Sequence, residues 1–331
     1  MADLRAGLVG YGQMGRNHAR VLQQMAGVEL VAIAEPDPPT VHAPGFAFVP
    51  DVDALIAAGI DLAVVSVPTA AHEEVALKLA SAGVHTLIEK PIAPDVPTSL
   101  RIAEAFDSAG LVGCVGHIER YNPALQELKK RLKQGEIGTV YQVATRRQGP
   151  FPSRIADVGV VLDLATHDID LTSWVTKRAY VNLSARTANR SGREHEDLVA
   201  AVGTLEDGIV VNHLVNWLSP LKERVTVVTG ERGTLVADTI TADLTFFANG
   251  VEPVRWDSIA RFQGVVQGDV TRYAFEKREP LLVELEAFRD AVLGEDVRTV
   301  SIADAARTVA VATAMVAASA SEETQTPREP D

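Results

Sequence analysis

The 331-residue sequence predicts an α/β protein: a doubly wound Rossmann domain followed by an α/β domain with a large open, mostly antiparallel sheet. Three observations carry this. Continuous apolar runs alternate with helical segments up to Val115, the pattern of a parallel sheet covered on both faces. The first strand runs into Gly10-Tyr11-Gly12-Gln13-Met14-Gly15. Beyond residue 178, β-type segments follow one another with turn residues between them. The length suits two domains better than one core. The expected division is 1–118 and 119–320, with 321–331 a polar, proline-containing tail predicted to be disordered.

Leu4 to Val9 is a short apolar strand, and residues 16–26 form a helix with Val21, Leu22 and Met25 on one face. Val28 to Ala34 is the second strand, closed by Glu35, after which Pro36-Asp37-Pro38-Pro39 blocks immediate helix formation. A short strand near Phe46–Val49 leads to a helix at Ala54–Ala58, capped by Asp51 or Asp53. Leu62 to Val67 is the clearest buried strand, stopped by Pro68. Helix 70–82, strand 84–88, helix 97–109 and strand 111–115 complete the alternation. Residues 123–134 form a basic amphipathic helix with a solvated charged face. Strands are expected at 180–187, 197–205, 208–218, 223–229, 233–238 and 242–247. Glu206-Asp207-Gly208 and Gly230-Glu231-Arg232-Gly233 read as hairpin turns. Helices at 281–293 and 301–319 close the chain.

The net charge of −13 argues against a nucleic-acid surface, which needs a basic face. It leaves room for an anionic small substrate held by a local arginine cluster. A single cysteine, Cys114, forms no internal disulfide, and its apolar neighbours make it an inert core thiol. No secretory leader and no apolar run of membrane-spanning length is read, so a cytoplasmic protein without a membrane partner is expected. No His/Cys/Asp set has metal-ligand spacing, and no metal is expected.

The G-x-G-x-x-G run follows a strand and opens a helix, the context in which it cradles a dinucleotide pyrophosphate on a helix N-terminus. Glu35 stands where an acid binds the adenosine ribose and repels a 2′-phosphate, which favours NAD over NADP; Asp37 is a second candidate. Ser66, Val67, Pro68 and Thr69 follow the strongest strand and are expected beside the cofactor, with His72 facing the same crevice. In Asp163-Leu164-Ala165-Thr166-His167, a carboxylate and an imidazole stand one helical turn apart. Histidine, with an ordinary pKa near 6.5, can take the proton that alcohol oxidation releases. The remaining histidines (18, 42, 85, 195 and 213) read as structural or solvated.

With the glycine loop, Ser66-Val67-Pro68-Thr69, His72, Glu89-Lys90-Pro91 and Asp163-x-x-x-His167, the chain resembles the glucose–fructose oxidoreductase/inositol dehydrogenase/MocA family over residues 4–320. The stretches Gly116–Pro123, Gly149–Pro152 and Asp157–Val160 look like its UDP-N-acetylglucosamine 3-dehydrogenase branch. The resemblance implies a nicotinamide cofactor, a sugar or cyclitol oxidised at a secondary alcohol, and a homodimer or homotetramer through the open sheet. It also implies catalysis by Lys90, Asp163 and His167, with His167 favoured as proton acceptor. Lys90 would stabilise the developing alkoxide or itself act as base. Glu89 joins the expected cofactor-binding set. One departure is the short, proline-rich segment from Pro36 to Ala47, where relatives carry a helix.

Arg120, Tyr121 and Asn122 begin the helix after the first domain and are candidates for sugar or nicotinamide contacts. Arg146, Arg147 and Arg154 flank the Gly149–Pro152 loop and are candidates for a substrate pyrophosphate. Together with these candidates, the resemblance to the UDP-N-acetylglucosamine 3-dehydrogenase branch implies a UDP-N-acetylhexosamine oxidised at C3. The competing readings are an inositol or deoxysugar dehydrogenase or ketoreductase, an NAD-dependent glycosidase working by transient oxidation, and a non-enzymatic NAD-binding regulator.

Overall fold

The computed structural model describes residues 3–37, 45–152, 158–250 and 266–321. Its elements run β1 (Leu4–Val9), α1 (Gln13–Gln24), β2 (Val28–Ala34), β3 (Phe48–Val49), α2 (Val52–Ala57), β4 (Leu62–Val65), α3 (His72–Ser81), β5 (His85–Glu89), α4 (Val96–Ala109), β6 (Gly113–Gly116) and α5 (Pro123–Lys133). They continue with β7 (Val140–Pro150), a π-helical turn Val161–Ala165, α6 (Thr166–Thr176), β8 (Tyr180–Ala188), β9 (Leu198–Leu205), β10 (Val210–Asn216) and β11 (Leu218–Gly230). Last come β12 (Gly233–Asp238), β13 (Asp243–Gly250), β14 (Val266–Arg272), α7 (Pro280–Val292) and α8 (Ile302–Ala320).

The chain forms two compact units. The first comprises Met1–Lys130, Thr241–Leu244 and Tyr273–Ala310, so it is discontinuous where the sequence suggests one cut at 118. Its sheet has the order β3-β2-β1-β4-β5-β6, and all five strand pairs are parallel. Of the two caps offered for α2, Asp51 serves, accepting from the Ala54 N–H at 2.8 Å; Asp95, not foreseen, does the same for Thr98 on α4. One sheet face packs Leu8, Leu22, Ile33 and Val64 against Leu281, Leu285 and Phe288 of α7. The other packs Val65, Leu79, Ile102 and Phe106 against Ile302, Ala305 and Val309 of α8. Their apolar stripes predict that α7 and α8 need a core, but not which one, and here α7 and the first half of α8 return to the first unit.

The second unit comprises Arg131–Ile240, Thr245–Arg272 and Val311–Asp331. Its eight strands run β14-β13-β12-β11-β7-β10-β9-β8. β8/β9, β9/β10, β7/β11, β11/β12 and β13/β14 pair antiparallel, whereas β7 and β10 are parallel from Val210↔Gln142 to Asn216↔Gln148. Strand β7, not foreseen, is central; its alternation is masked by Thr145, Arg146, Arg147 and Gln148, polar on both faces. The π turn and α6 bury Val161, Ala165 and Ile169 against Val199, Val215 and Trp217 of the sheet region, with Ala312 and Met315 of α8.

One sequence reading needs correction. Helix α8, with 19 residues and a mean hydropathy of 1.3, is long and apolar enough to cross a membrane by length and composition. Its stripe of Ala305, Val309, Ala312 and Met315 is instead buried in the protein, as in a core helix. The expected tail lies outside the described residues beyond Ser321, as does Arg154.

Because Phe288 is buried on α7 in the core that carries β1, Phe288→Ala should destabilise the first unit by about 3–5 kcal/mol. Urea unfolding followed by circular dichroism measures this.

Candidate active site

In the first unit, β1 delivers the chain into the glycine loop. Gly10 has φ +90°, and an added Cβ would meet the Ser66 carbonyl oxygen at 2.8 Å. At Gly15, a Cβ would press into the Gly10 carbonyl oxygen, so α1 can lie against β1 only with hydrogen there. Nothing lies within 4 Å of a Cβ at Gly12, the N-cap of α1, which has no side-chain cap and no acid in its first turn. These open N–H groups at the positive end of a helix dipole fit a dinucleotide pyrophosphate. Gln13 and Met14 open α1.

Glu35 follows β2, and its carboxylate accepts from the Tyr11 N–H at 2.8 Å and the Asp37 N–H at 3.3 Å. The Tyr11 ring meets Phe46 and Phe48 edge-on at 6.0 and 5.1 Å. The acid is thus fixed at the β2 end by the glycine loop itself. Ser66 donates to the Gly10 carbonyl at 3.0 Å, binding the end of β4 to the loop. Val67, Pro68 and Thr69 form the turn after β4.

His72 is fully buried. Its Nδ1 lies 3.0 Å from the Pro91 carbonyl oxygen and 3.2 Å from that of Ile92, and its Nε2 lies 3.1 Å from that of Val67. Burial lowers its pKa despite these acceptors. Sequence places it facing the cofactor crevice; instead it is buried and ties the turn after β4 to the segment after Lys90. The Lys90–Pro91 peptide is cis.

Glu89, the last residue of β5, is also buried rather than turned outward as a cofactor contact. His18 of α1 lies 2.8 Å from its Oε1, and the Lys90 N–H donates to its Oε2 at 3.2 Å. Burial alone would raise its pKa; the His18 hydrogen bond and charge, with the Lys90 charge and amide, outweigh that and hold it below the usual carboxylate range. Glu284 of α7, equally buried, has no hydrogen-bond partner among the described residues, and burial plus repulsion from Glu89 push its pKa well up. The two buried acids are thus driven in opposite directions, Glu89 down and Glu284 up.

Arg120 pairs with Asp304 at 3.4 Å. Tyr121 is buried, and Asn122 caps α5 by accepting from the Ala124 N–H at 3.0 Å. These contacts hold the chain as it leaves the parallel sheet.

In the second unit, Asp163 lies in the π turn and His167 in the first turn of α6. The pair thus spans a π-to-α junction rather than the regular α-helix its spacing suggests. Such π insertions re-aim side chains and recur at functional sites. Asp163 is buried and His167 partly exposed. One residue beyond His167, Asp168 meets Arg147, which is 3% exposed and whose Nε lies 3.1 Å from both Asp168 oxygens. Arg147 points from β7 into the unit as a strut for α6, which corrects its reading as a surface grip on pyrophosphate. Arg146 takes the other face and pairs with Glu223 at 3.3 Å.

Sequence reasoning missed the layer beside that strut. His213 of β10 bridges Thr145 at 2.7 Å and the Tyr180 hydroxyl at 2.8 Å. Burial brings the His213 pKa down to about 4. His18 was also missed, although its place one turn after Gly15 was a usable signal. Nothing in spacing links Tyr180, His213 and Thr145, which meet only through sheet order. Among the described residues, no His, Cys, Asp and Glu cluster could hold a metal.

A parallel sheet in this order, with a phosphate-binding loop at the head of α1 and an acid at the β2 end, defines a Rossmann-type NAD-binding protein. Residues 4–117 match the model described as "Oxidoreductase family, NAD-binding Rossmann fold", and residues 125–236 match the GFO/IDH/MocA C-terminal domain. The chain belongs to the Gfo/Idh/MocA family of NAD-dependent oxidoreductases. It is 34% identical over 217 residues to UDP-N-acetylglucosamine 3-dehydrogenase of Acidithiobacillus ferrooxidans, covering 64% of this chain and 66%, just under two thirds, of that relative. It is 31% identical over 242 residues to the myo-inositol dehydrogenase Hyg17 of Streptomyces leeuwenhoekii, covering 69% and 74%. The solved structure of the former dehydrogenase, GnnA, superposes with a TM-score of 0.82 at 27% identity, covering 96% of this chain and 98% of that one.

Acid should test the His213 layer. Its folded pKa lies below the unfolded value near 6.5, so the unfolded chain binds the extra proton. This residue's stability contribution is complete above pH 6.5 and falls by about 3 kcal/mol as the pH drops to about 4. His213→Gln should remove that part of the pH dependence of the urea midpoint.

Proposed function

We propose that the protein oxidises a secondary alcohol of a sugar, at C3 of a UDP-N-acetylhexosamine, with NAD as hydride acceptor. The similarity to UDP-N-acetylglucosamine 3-dehydrogenase, extending over 98% of that enzyme's fold, carries the substrate reading. NAD, when bound, takes the carbinol hydride, and Gly10, Gly12 and Gly15 with the head of α1 hold its pyrophosphate. Glu35 receives the adenosine ribose and disfavours a 2′-phosphate. His167 accepts the hydroxyl proton, Asp163 orients the hydroxyl or the imidazole, and Lys90 donates to the reacting oxygen. Lys90 follows directly from the C-terminal end of a parallel strand, where doubly wound sheets place their ligands.

Cytoplasmic action and a homo-oligomer belong to the same proposal. Val181, Val202 and Val210, which are 66%, 51% and 42% exposed on the adjacent strands β8, β9 and β10, favour a second copy against this sheet. Sedimentation velocity would return a monomer if that part is wrong.

The identity to Hyg17 favours one second reading, oxidation of a free cyclitol. Incubation with NAD and either UDP-N-acetylglucosamine or myo-inositol, following the absorbance of reduced cofactor, separates the two. Turnover is expected with the nucleotide sugar, and turnover with myo-inositol alone would overturn the substrate reading. His167→Ala should lower kcat by about 100-fold or more while leaving NAD affinity near native.

A further inference from the structure

We propose that His18 and Glu89 are positioning residues that couple dinucleotide docking on α1 to the placement of Lys90; this rests on the role given to Lys90 above. His18 lies one turn beyond Gly15, on the helix whose N-terminus receives the pyrophosphate. Its Nε2 lies 2.8 Å from Glu89 Oε1, and the other oxygen of that carboxylate accepts from the Lys90 N–H at 3.2 Å. One buried carboxylate therefore joins the cofactor helix to the peptide bearing the reactive amine. The carboxylate has little freedom to adjust. A Cβ on Gly116 of the neighbouring strand would lie 3.2 Å from it, so the Gly116 backbone walls one side. On the far side of Lys90, His72 holds the Pro91 carbonyl at 3.0 Å. Lys90 is thus gripped before and after its own Cα, and one of the two grips is anchored in α1. Any shift of α1 on pyrophosphate binding passes through His18 and Glu89 to Lys90. Neither side chain touches substrate in this scheme.

The test uses the full-length protein and the variants His18→Phe, His18→Gln, Glu89→Gln, His18→Phe/Glu89→Gln and Lys90→Ala, each checked for native thermal unfolding. His18→Phe and Glu89→Gln should each lower kcat by about 10- to 100-fold, with the Kd for NAD changed by less than about three-fold. The double variant should be no slower than the worse single one, because both break the same link. His18→Gln, which keeps an N–H near the imidazole Nε2, should recover most of the loss. A second readout needs no substrate: NAD should slow amide hydrogen exchange at Lys90 in the native protein and not in His18→Phe. Native kcat in either folded single variant, multiplied losses in the double variant, or unchanged NAD-dependent protection of Lys90 in His18→Phe would each overturn the proposal. Full activity in Lys90→Ala would overturn the catalytic reading instead, and the exchange measurement would still judge the coupling.

Discussion

The first unit depends on a contact with no room for a methyl group. Gly15 approaches the Gly10 carbonyl so closely that α1 can lie along β1 only because Gly15 lacks a side chain, while Gly10 gives the same room to the Ser66 carbonyl. That approach fixes where the helix dipole points and how near a phosphate can come to the backbone. It also fixes the next turn, which carries His18 to Glu89. The loop that receives the cofactor and the strand end that presents Lys90 are therefore set by one backbone geometry, with Ser66 closing the arrangement from β4.

The second unit solves a different problem, that of holding a helix with a π irregularity on a sheet. A π turn loses regular hydrogen bonding, and its helix needs support from elsewhere. Here the apolar packing of Val161, Ala165 and Ile169 is joined by a polar layer. Arg147 meets both oxygens of Asp168, and Tyr180, His213 and Thr145 form a chain beside them. Buried charge is expensive to desolvate and is tolerated only when fully paired, so this layer fixes orientation more than it adds net stability. Removing one partner would leave the other buried and uncompensated, which makes the layer sensitive to single substitutions.

Local chemistry made much of this legible. The glycine loop, the cap at Asp51, the hairpin at Gly230–Gly233 and the closing helices all follow from short-range rules of backbone and periodicity. Strand β7 escaped because its polar residues serve both faces, one as buried struts and one as a surface ladder, which erases alternation. Arg147 was misread for the same reason: an arginine beside a loop gives no sign of whether its partner is a ligand or an aspartate twenty-one residues later. His72 and Glu89 lie in motifs that invite a ligand-facing reading, yet both hold backbone in place. Sequence located these motifs, and only tertiary structure could divide their members between touching a ligand and supporting those that do.

The return of α7 to the parallel sheet has a consequence for biogenesis. As the chain leaves the ribosome, all six strands of that sheet emerge long before Leu281, Leu285 and Phe288, so the cluster of Leu8 and Ile33 with Leu22 of α1 waits without its α7 cover. The nascent nucleotide-binding half therefore remains a sticky intermediate until the final helices are synthesised. A fragment ending at the apparent domain border would inherit that exposed face permanently.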